Sequence, residues 1–270
     1  MHTELQLVTA PEVPLEAECL SPAKIKGLSQ SGVEHLEMMH GNRKARVGDF
    51  FRVTGNGQCS LRLEGDLSRV KYIGAGMTEG EVRVNGSAGM HLGAGMSGGR
   101  IRVSGDASDW VGPEMSGGRI EVMGNAGHMV GSAYRGQSVG IQGGEILIHG
   151  DVKNELGSAM RRGLIAVGGQ AGDFVGVNMR AGTVIVMGGM GVRPGAGMMR
   201  GTIVSFQPVE LLPTFSYSCW LRPTFLRFYL CHLGQSGFEV DDAYMGGRYR
   251  RYCGDGIEEN RGEILVFDSR

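Results

Sequence analysis

Short alternating runs of β-branched residues recur along the middle of this chain. They read Val82-Arg-Val84, Ile101-Arg-Val103, Ile120-Glu-Val122, Ile146-Leu-Ile148, Ile165-Ala-Val167 and Val184-Ile-Val186. A period of two with β-branched residues predicts strands with one face buried. Each run sits at the end of a thirteen-residue unit whose clearest copy is Gly93–Gly105, GAGMSGGRIRVSG. The units open at Gly74, Gly93, Gly112, Gly131, Gly157, Gly176 and Gly195, in steps of 19, 19, 19, 26, 19 and 19 residues. A fixed period over seven copies decides the fold.

Nineteen residues are too few for a strand–helix–strand unit, which needs about 30. They suit one turn of a coil in which each strand stacks on its own copy about 4.8 Å away. The fold class predicted is therefore all-β: a single right-handed parallel β-helix of about seven 19-residue turns. A glycine column without exception, Gly80, Gly99, Gly118, Gly144, Gly163, Gly182 and Gly201, marks a corner where the backbone turns or approaches closely. The fourth position reads Met77, Met96, Met115, Tyr134, Met160, Met179 and Met198. Such a column could bind a soft metal, but unbranched side chains filling the axis of a narrow coil account for it better. The excess of the fourth copy falls in Gln137–Gly143, which should protrude from one side.

The segments at either end are not repeats. Residues 1–60 read as an N-terminal cap over the open first turn, 61–207 as the β-helix, and 208–270 as a docking tail. In the cap, Glu4–Val8 and Leu15–Cys19 read as strands, Pro22–Ile25 and Ser29–Met39 as helices, and Gly41-Asn42 and Gly48-Asp49 as turns around a strand. A cap is needed because an end strand presents unpaired backbone. In the tail, Thr224–Leu233 reads as a short helix after Pro223, and Gly262–Val266 as a last strand.

The outward strand positions change character along the stack. One column runs Glu81, Arg100, Arg119, Glu145, then Leu164, Thr183 and Thr202; the next runs Arg83, Arg102, Glu121, then Leu147, Ala166, Ile185 and Val204. The first half is charged, and Arg83, Arg100, Arg102 and Arg119 are candidate contacts for an anion, although a solvated face with Glu81 and Glu121 as partners explains them as well. The second half is apolar and must be covered, by the chain's own tail or by another protein of the same assembly. Leu164, Ile185, Trp220, Phe225 and Tyr229 are the candidate interface residues.

Composition narrows the function. Glycine stands at 48 of 270 residues, more than twice the usual share of about 7%, but it does not fall at every third residue, so collagen is excluded. A net charge of −1 gives no electrostatic sign of nucleic acid or of an anionic membrane. No apolar run is long enough for a transmembrane helix, and the N-terminus lacks the apolar core of a signal peptide. A cytoplasmic location is expected. Five scattered cysteines without CxxC fit free thiols.

No catalytic or metal constellation stands out. The seven histidines are scattered, and GxSxG, HExxH and the phosphate-binding loop are absent. GxGxxG strings are uninformative in a glycine-periodic chain. Asp106 with Asp109, and Asp241 with Asp242, are loose acidic pairs and the candidates for carbohydrate chemistry. RYRRYCGDG, Arg248–Gly256, is a basic and aromatic cluster that reads as surface or interface.

Three features together, the coil GxGMxxGxIxVxG, the lead-in GNRKARVGDFF and the C-terminal YRRYCGDG with GEILV, resemble the C subunit of formylmethanofuran dehydrogenase and of the bacterial formyltransferase/hydrolase complex, from about Val13 to the end. The glycine repeat alone is shared with the C-terminal domain of glutamate synthase large subunits. The resemblance implies a non-catalytic scaffold with no cofactor of its own. It would sit among the A, B and D subunits, of which A is hydrolase-like and D is a formyltransferase. The complex would use methanofuran and tetrahydromethanopterin, moving a formyl group to methanofuran and hydrolysing it to formate. The archaeal counterpart, which reduces carbon dioxide onto methanofuran, is an alternative. So are a stand-alone carbohydrate-active enzyme and a signal-relaying domain like that of glutamate synthase.

Overall fold

The computed structural model describes residues 2–269. In chain order the elements are β1 (Thr3–Leu7), β2 (Leu15–Glu16), α1 (Pro22–Ile25), α2 (Gln30–Glu34), β3 (Glu37–His40), β4 (Arg43–Arg46), α3 (Val47–Phe50), β5 (Phe51–Thr54), β6 (Ser60–Glu64), β7 (Val70–Lys71) and β8 (Glu81–Asn85). There follow β9 (Arg100–Val103), β10 (Arg119–Val122), β11 (Glu145–Ile148), β12 (Leu164–Val167), β13 (Thr183–Val186), β14 (Arg200–Ser205), β15 (Ser216–Leu221), α4 (Thr224–Gln235), α5 (Asp242–Gly246), β16 (Arg248–Gly254) and β17 (Arg261–Asp268).

The protein is mostly β, built on a 13-stranded sheet in the order β15-β16-β17-β14-β13-β12-β11-β10-β9-β8-β6-β1-β5. From β1 to β17 the pairs are parallel, and each repeat strand lies on its copy with no slip: Val82 on Ile101, Ile101 on Ile120, Ile120 on Ile146. A second line of parallel bridges joins Leu67, Ala88, Ala107, Ala126, Val152, Ala171 and Met190. At a third line the N–H groups of Gly93, Gly112, Gly131 and Gly157 donate to carbonyls one repeat earlier, at 2.7–2.8 Å. The backbone of each repeat is therefore bonded to its neighbour at three places along its length.

The interior follows from the alternation. Val82, Ile101, Ile120, Ile146, Ile165, Val184 and Ile203 are fully buried in one column, and Met77, Met96 and Met115 in another. Every glycine of the corner column has a positive φ, between +81° and +110°. At Gly118 (φ +86°) a Cβ would also lie 2.9 Å from the Gly99 carbonyl oxygen, so conformation and close backbone approach both demand glycine there.

The fourth repeat corrects the sequence reading. Ile141, not Tyr134, fills the methionine position: it is fully buried, and its carbonyl accepts from Arg161 N–H as the Met77 carbonyl accepts from Ser97 N–H. The seven extra residues are therefore Tyr134–Gly140 rather than Gln137–Gly143. This buried position takes an apolar side chain, and a phenol there would bury an unbonded hydroxyl.

The ends differ from the repeats. β1 runs parallel beside β6, and β5 adds antiparallel outside it. β2 pairs with β7 in a second, 4-stranded sheet. The helix expected over Ser29–Met39 is only α2, because Glu37–His40 instead forms a hairpin with β4 around the Gly41-Asn42 turn. The expected Leu15–Cys19 strand shortens to β2. At the far end β17 continues the parallel stack, and β16 and β15 turn antiparallel.

Candidate docking face

The outward face of the large sheet carries two different surfaces. Over β6, β8 and β9 it is charged and open. Arg62, Arg83 and Arg102 stand in register on adjacent strands. Arg83 is bonded to Glu81 at 2.9 Å. Arg100 and Arg102 have no carboxylate within 4.0 Å among the described residues; Arg102 reaches only Met123 Sδ, at 3.6 Å.

Arg119 behaves differently from the other three predicted arginines. Its guanidinium lies 3.0 Å from Glu145 and 3.5 Å from Glu121, and it is largely buried. His149 Nε2 stands 3.3 Å from Glu121, and His232 Nε2 stands 2.6 Å from Glu145. This five-residue network marks the seam between the two surfaces. It removes Arg119 from the set of free anion contacts, because two carboxylates already neutralise it.

Beyond the seam the face is apolar and covered by the chain itself. Helix α4 follows Pro223, which cannot extend a helix toward its N-terminus, and it places Leu226, Leu230 and Leu233 on one stripe. These pack with Leu147, Leu164, Ala166, Ile185 and Val204 into a second core, closed by Phe206, Phe238, Tyr249 and Leu265. Burying one such side chain contributes about 1.5–3 kcal/mol. Leu164 and Ile185, expected at an interface, face α4 instead and are buried within this chain.

The other expected interface residues are accessible. Phe225 is 38% exposed, Trp220 39%, and Phe228, another aromatic of the same tail, 80%. Tyr229 is half-buried and, with Phe228, Leu164, Thr183, Glu145 and His232, lines a groove of about 680 Å³ beside α4. Trp220 lies under two guanidiniums, Arg248 and Arg250, each 4.9 Å from its ring centre.

A further cluster escapes the sequence reading, although its 19-residue spacing is readable. Tyr72 and His91 stack at 4.5 Å, and His91 and Trp110 at 5.4 Å, all with positive φ at one corner. The insertion lays Tyr134 on them, and its hydroxyl lies 2.9 Å from His91 Nδ1. Burial lowers the affinity of His91 for a proton, and Lys71 reinforces this. Burial raises the Tyr134 phenol.

The acidic pairs also find a structural role. Asp106 accepts from Asn125 N–H, Asn125 from Asp151 N–H, and Asp151 from Gln170 N–H, at 2.7–2.8 Å. Asp109 accepts from His128 N–H at 2.7 Å, and Asp173 from Val192 N–H at 2.9 Å. These ladders bond side chain to backbone one repeat on. Asp241 caps α5 through Ala243 N–H. Among the described residues no group of three or more His, Cys, Asp or Glu is placed to hold a metal, and no helix is long and apolar enough to cross a membrane.

Comparison with known proteins agrees with this architecture. The model of the GXGXG motif family matches residues 48–211. Over 81 residues the chain is 43% identical to the C subunit of the molybdenum-containing formylmethanofuran dehydrogenase 1 of Methanothermobacter wolfeii; the match covers 29% of this chain and 20% of the relative. Over 86 residues it is 41% identical to the C subunit of the tungsten-containing enzyme 2 of Methanothermobacter thermautotrophicus, covering 30% and 32%. These curated relatives are thus matched over a third of their length or less. A chain in the crystal structure of the formyltransferase/hydrolase complex (FhcABCD) from Methylorubrum extorquens, solved with methylofuran, superposes with a TM-score of 0.91 at 33% identity, covering 97% of this chain and 98% of that one. The chain belongs to the GXGXG family, in the group formed by the C subunits of formylmethanofuran dehydrogenases and their counterpart in the formyltransferase/hydrolase complex.

Proposed function

We propose that this chain is the non-catalytic scaffold of a cytoplasmic complex handling formylmethanofuran. Its partners are the A, B and D subunits; A is hydrolase-like and D is a formyltransferase. The complex moves a formyl group from formyl-tetrahydromethanopterin to methanofuran and hydrolyses it to formate. The observation that carries this reading is the full-length likeness, 33% identical at a TM-score of 0.91, to a chain of a complex of that name. The repeats form a right-handed parallel β-helix over 61–207, capped by 1–60 and followed by a docking tail over 208–270; the three lines of inter-repeat bonding support this.

The scaffold works through its outside. Arg83, Arg100 and Arg102 offer charge to an anionic partner surface, and Trp220, Phe225 and Tyr229 offer apolar area. A second reading, the C subunit of a dehydrogenase that fixes carbon dioxide onto methanofuran, rests on the higher local identity of 43%.

Reconstitution tests the proposal. With this chain present, formyl transfer and formylmethanofuran hydrolysis should travel together as one assembly. Without it, the assembly should fall apart while its separate members keep their folds. Assembly and turnover unchanged in its absence would overturn the scaffold role. Partners bearing a molybdenum or tungsten pterin would select the second reading.

A further inference from the structure

Strand β15 closes one end of the 13-stranded sheet and is bonded on one side only, to β16. Among the described residues, the backbone of Ser216–Leu221 makes no hydrogen bond outside that pairing. Open edges are commonly blunted by proline, lysine or inward-pointing charge. This one reads Ser-Tyr-Ser-Cys-Trp-Leu, without a charge or a proline, and a bulge between Tyr217 and Cys219 twists it without covering it. Tyr217 is 51% exposed and lies edge-on to Trp220 and Tyr252.

The opposite end of the sheet, β5, is shorter and carries Arg52 in its middle. The two ends are therefore not equivalent. Beside β15 stand the two guanidiniums over Trp220. Arg250 is bonded to Asp268 at 3.4 Å, whereas Arg248 has no carboxylate within 4.0 Å among the described residues. Tryptophan, tyrosine and arginine are the side chains that dominate binding at interfaces. An unpaired strand supplies the main-chain bonds, and neighbouring side chains select the partner.

We infer that β15 is a strand-addition site: an extended, carboxylate-bearing segment of a partner protein in the complex adds to the Ser216–Leu221 edge and places an acidic side chain on Arg248. This rests on the reading of the chain as a member of a complex, and it names where and how one partner holds it.

The test uses the intact complex. Tyr217→benzoylphenylalanine keeps an aromatic ring at the edge and allows photo-crosslinking. The expected product joins position 217 to one stretch of a partner protein that contains Asp or Glu, and Arg248→Glu should lower the yield of assembled complex at least tenfold. The same substitution at the other edge, Arg52→Glu, should leave the yield unchanged. Crosslinks confined to this chain, crosslinks to a second copy, or an Arg248→Glu complex of full yield would each overturn the inference while leaving the scaffold reading intact. Recovery of the chain with no partner at all would overturn that reading as well, and the mass of the purified species tells the two failures apart.

Discussion

The two halves of the sheet's outer face share one interior and differ only outside. Strands β8–β10 and β11–β13 bury the same β-branched column, with zero exposure from Val82 to Val184. One position further along, the outward column passes from Arg83, Arg102 and Glu121 to Leu147, Ala166 and Ile185. The repeat is thus a neutral frame on which two surfaces are written. The apolar surface folds its own chain back over itself as α4, and the charged surface stays open. An apolar strip covered from within is no liability, so solubility of the isolated chain does not distinguish a scaffold from a free enzyme.

The largest expected effect comes from moving the character of one half into the other. Ile185→Asp places an unpaired charge under α4 and should destabilise by more than about 4 kcal/mol. In the same column, Arg102→Asp should change stability by no more than about 0.5 kcal/mol. Chemical denaturation of both variants measures the contrast, and equal losses would show that the two halves are covered alike.

Next come the corner glycines, which the halves share. Gly118→Val and Gly182→Val each force a positive φ, +86° and +102°, on a β-branched residue that also meets a methionine methyl within 2.7 Å. Each should cost at least about 2 kcal/mol. Similar losses at both sites confirm a common frame; a large difference breaks it. Leu230→Ala should cost about 2–4 kcal/mol, typical of a truncated buried leucine. Its signature is early exchange of the α4 amides while those of β8–β10 stay protected.

The smallest effect is a pH dependence at the far end. Burial alone would raise the Asp255 carboxyl, but the Thr214 hydroxyl and the N–H groups of Gly197 and Ile257, the latter two at 2.9 and 3.2 Å, hold it below the usual 3.8. A value lowered by folding stabilises the protein above the unfolded value, and this is lost as the pH falls through the folded one. Stability should therefore decline below about pH 4, and Asp255→Asn should flatten that decline. An unaltered acid limb would place the titrating group elsewhere.

The repeat is legible because stacked copies must each satisfy the same corner and the same interior. Val82, Ile101 and Gly99 announce their roles by spacing alone. The site is less legible wherever two segments distant in sequence meet. The outward column shows that Leu164 and Ile185 need a cover, but α4 comes from about 40 to 60 residues further along, and periodicity says nothing about where a tail folds back. Tyr134 is misplaced by the sequence reading because both alignments of the insertion keep Gly144, and only the burial of Ile141 and the bond its carbonyl accepts from Arg161 N–H separate them. The Tyr72–His91–Trp110 ladder keeps the 19-residue spacing but varies its residue type, which hides it from a search for repeated letters.

The proposed scaffold works only as part of an assembly. The most direct measurement is the native mass of the chain purified from its own cells under mild conditions. The expected species is a hetero-oligomer containing hydrolase-like and formyltransferase-like proteins in fixed ratio to this one. A species of 28.8 kDa, or a homo-oligomer of this chain alone, would contradict it.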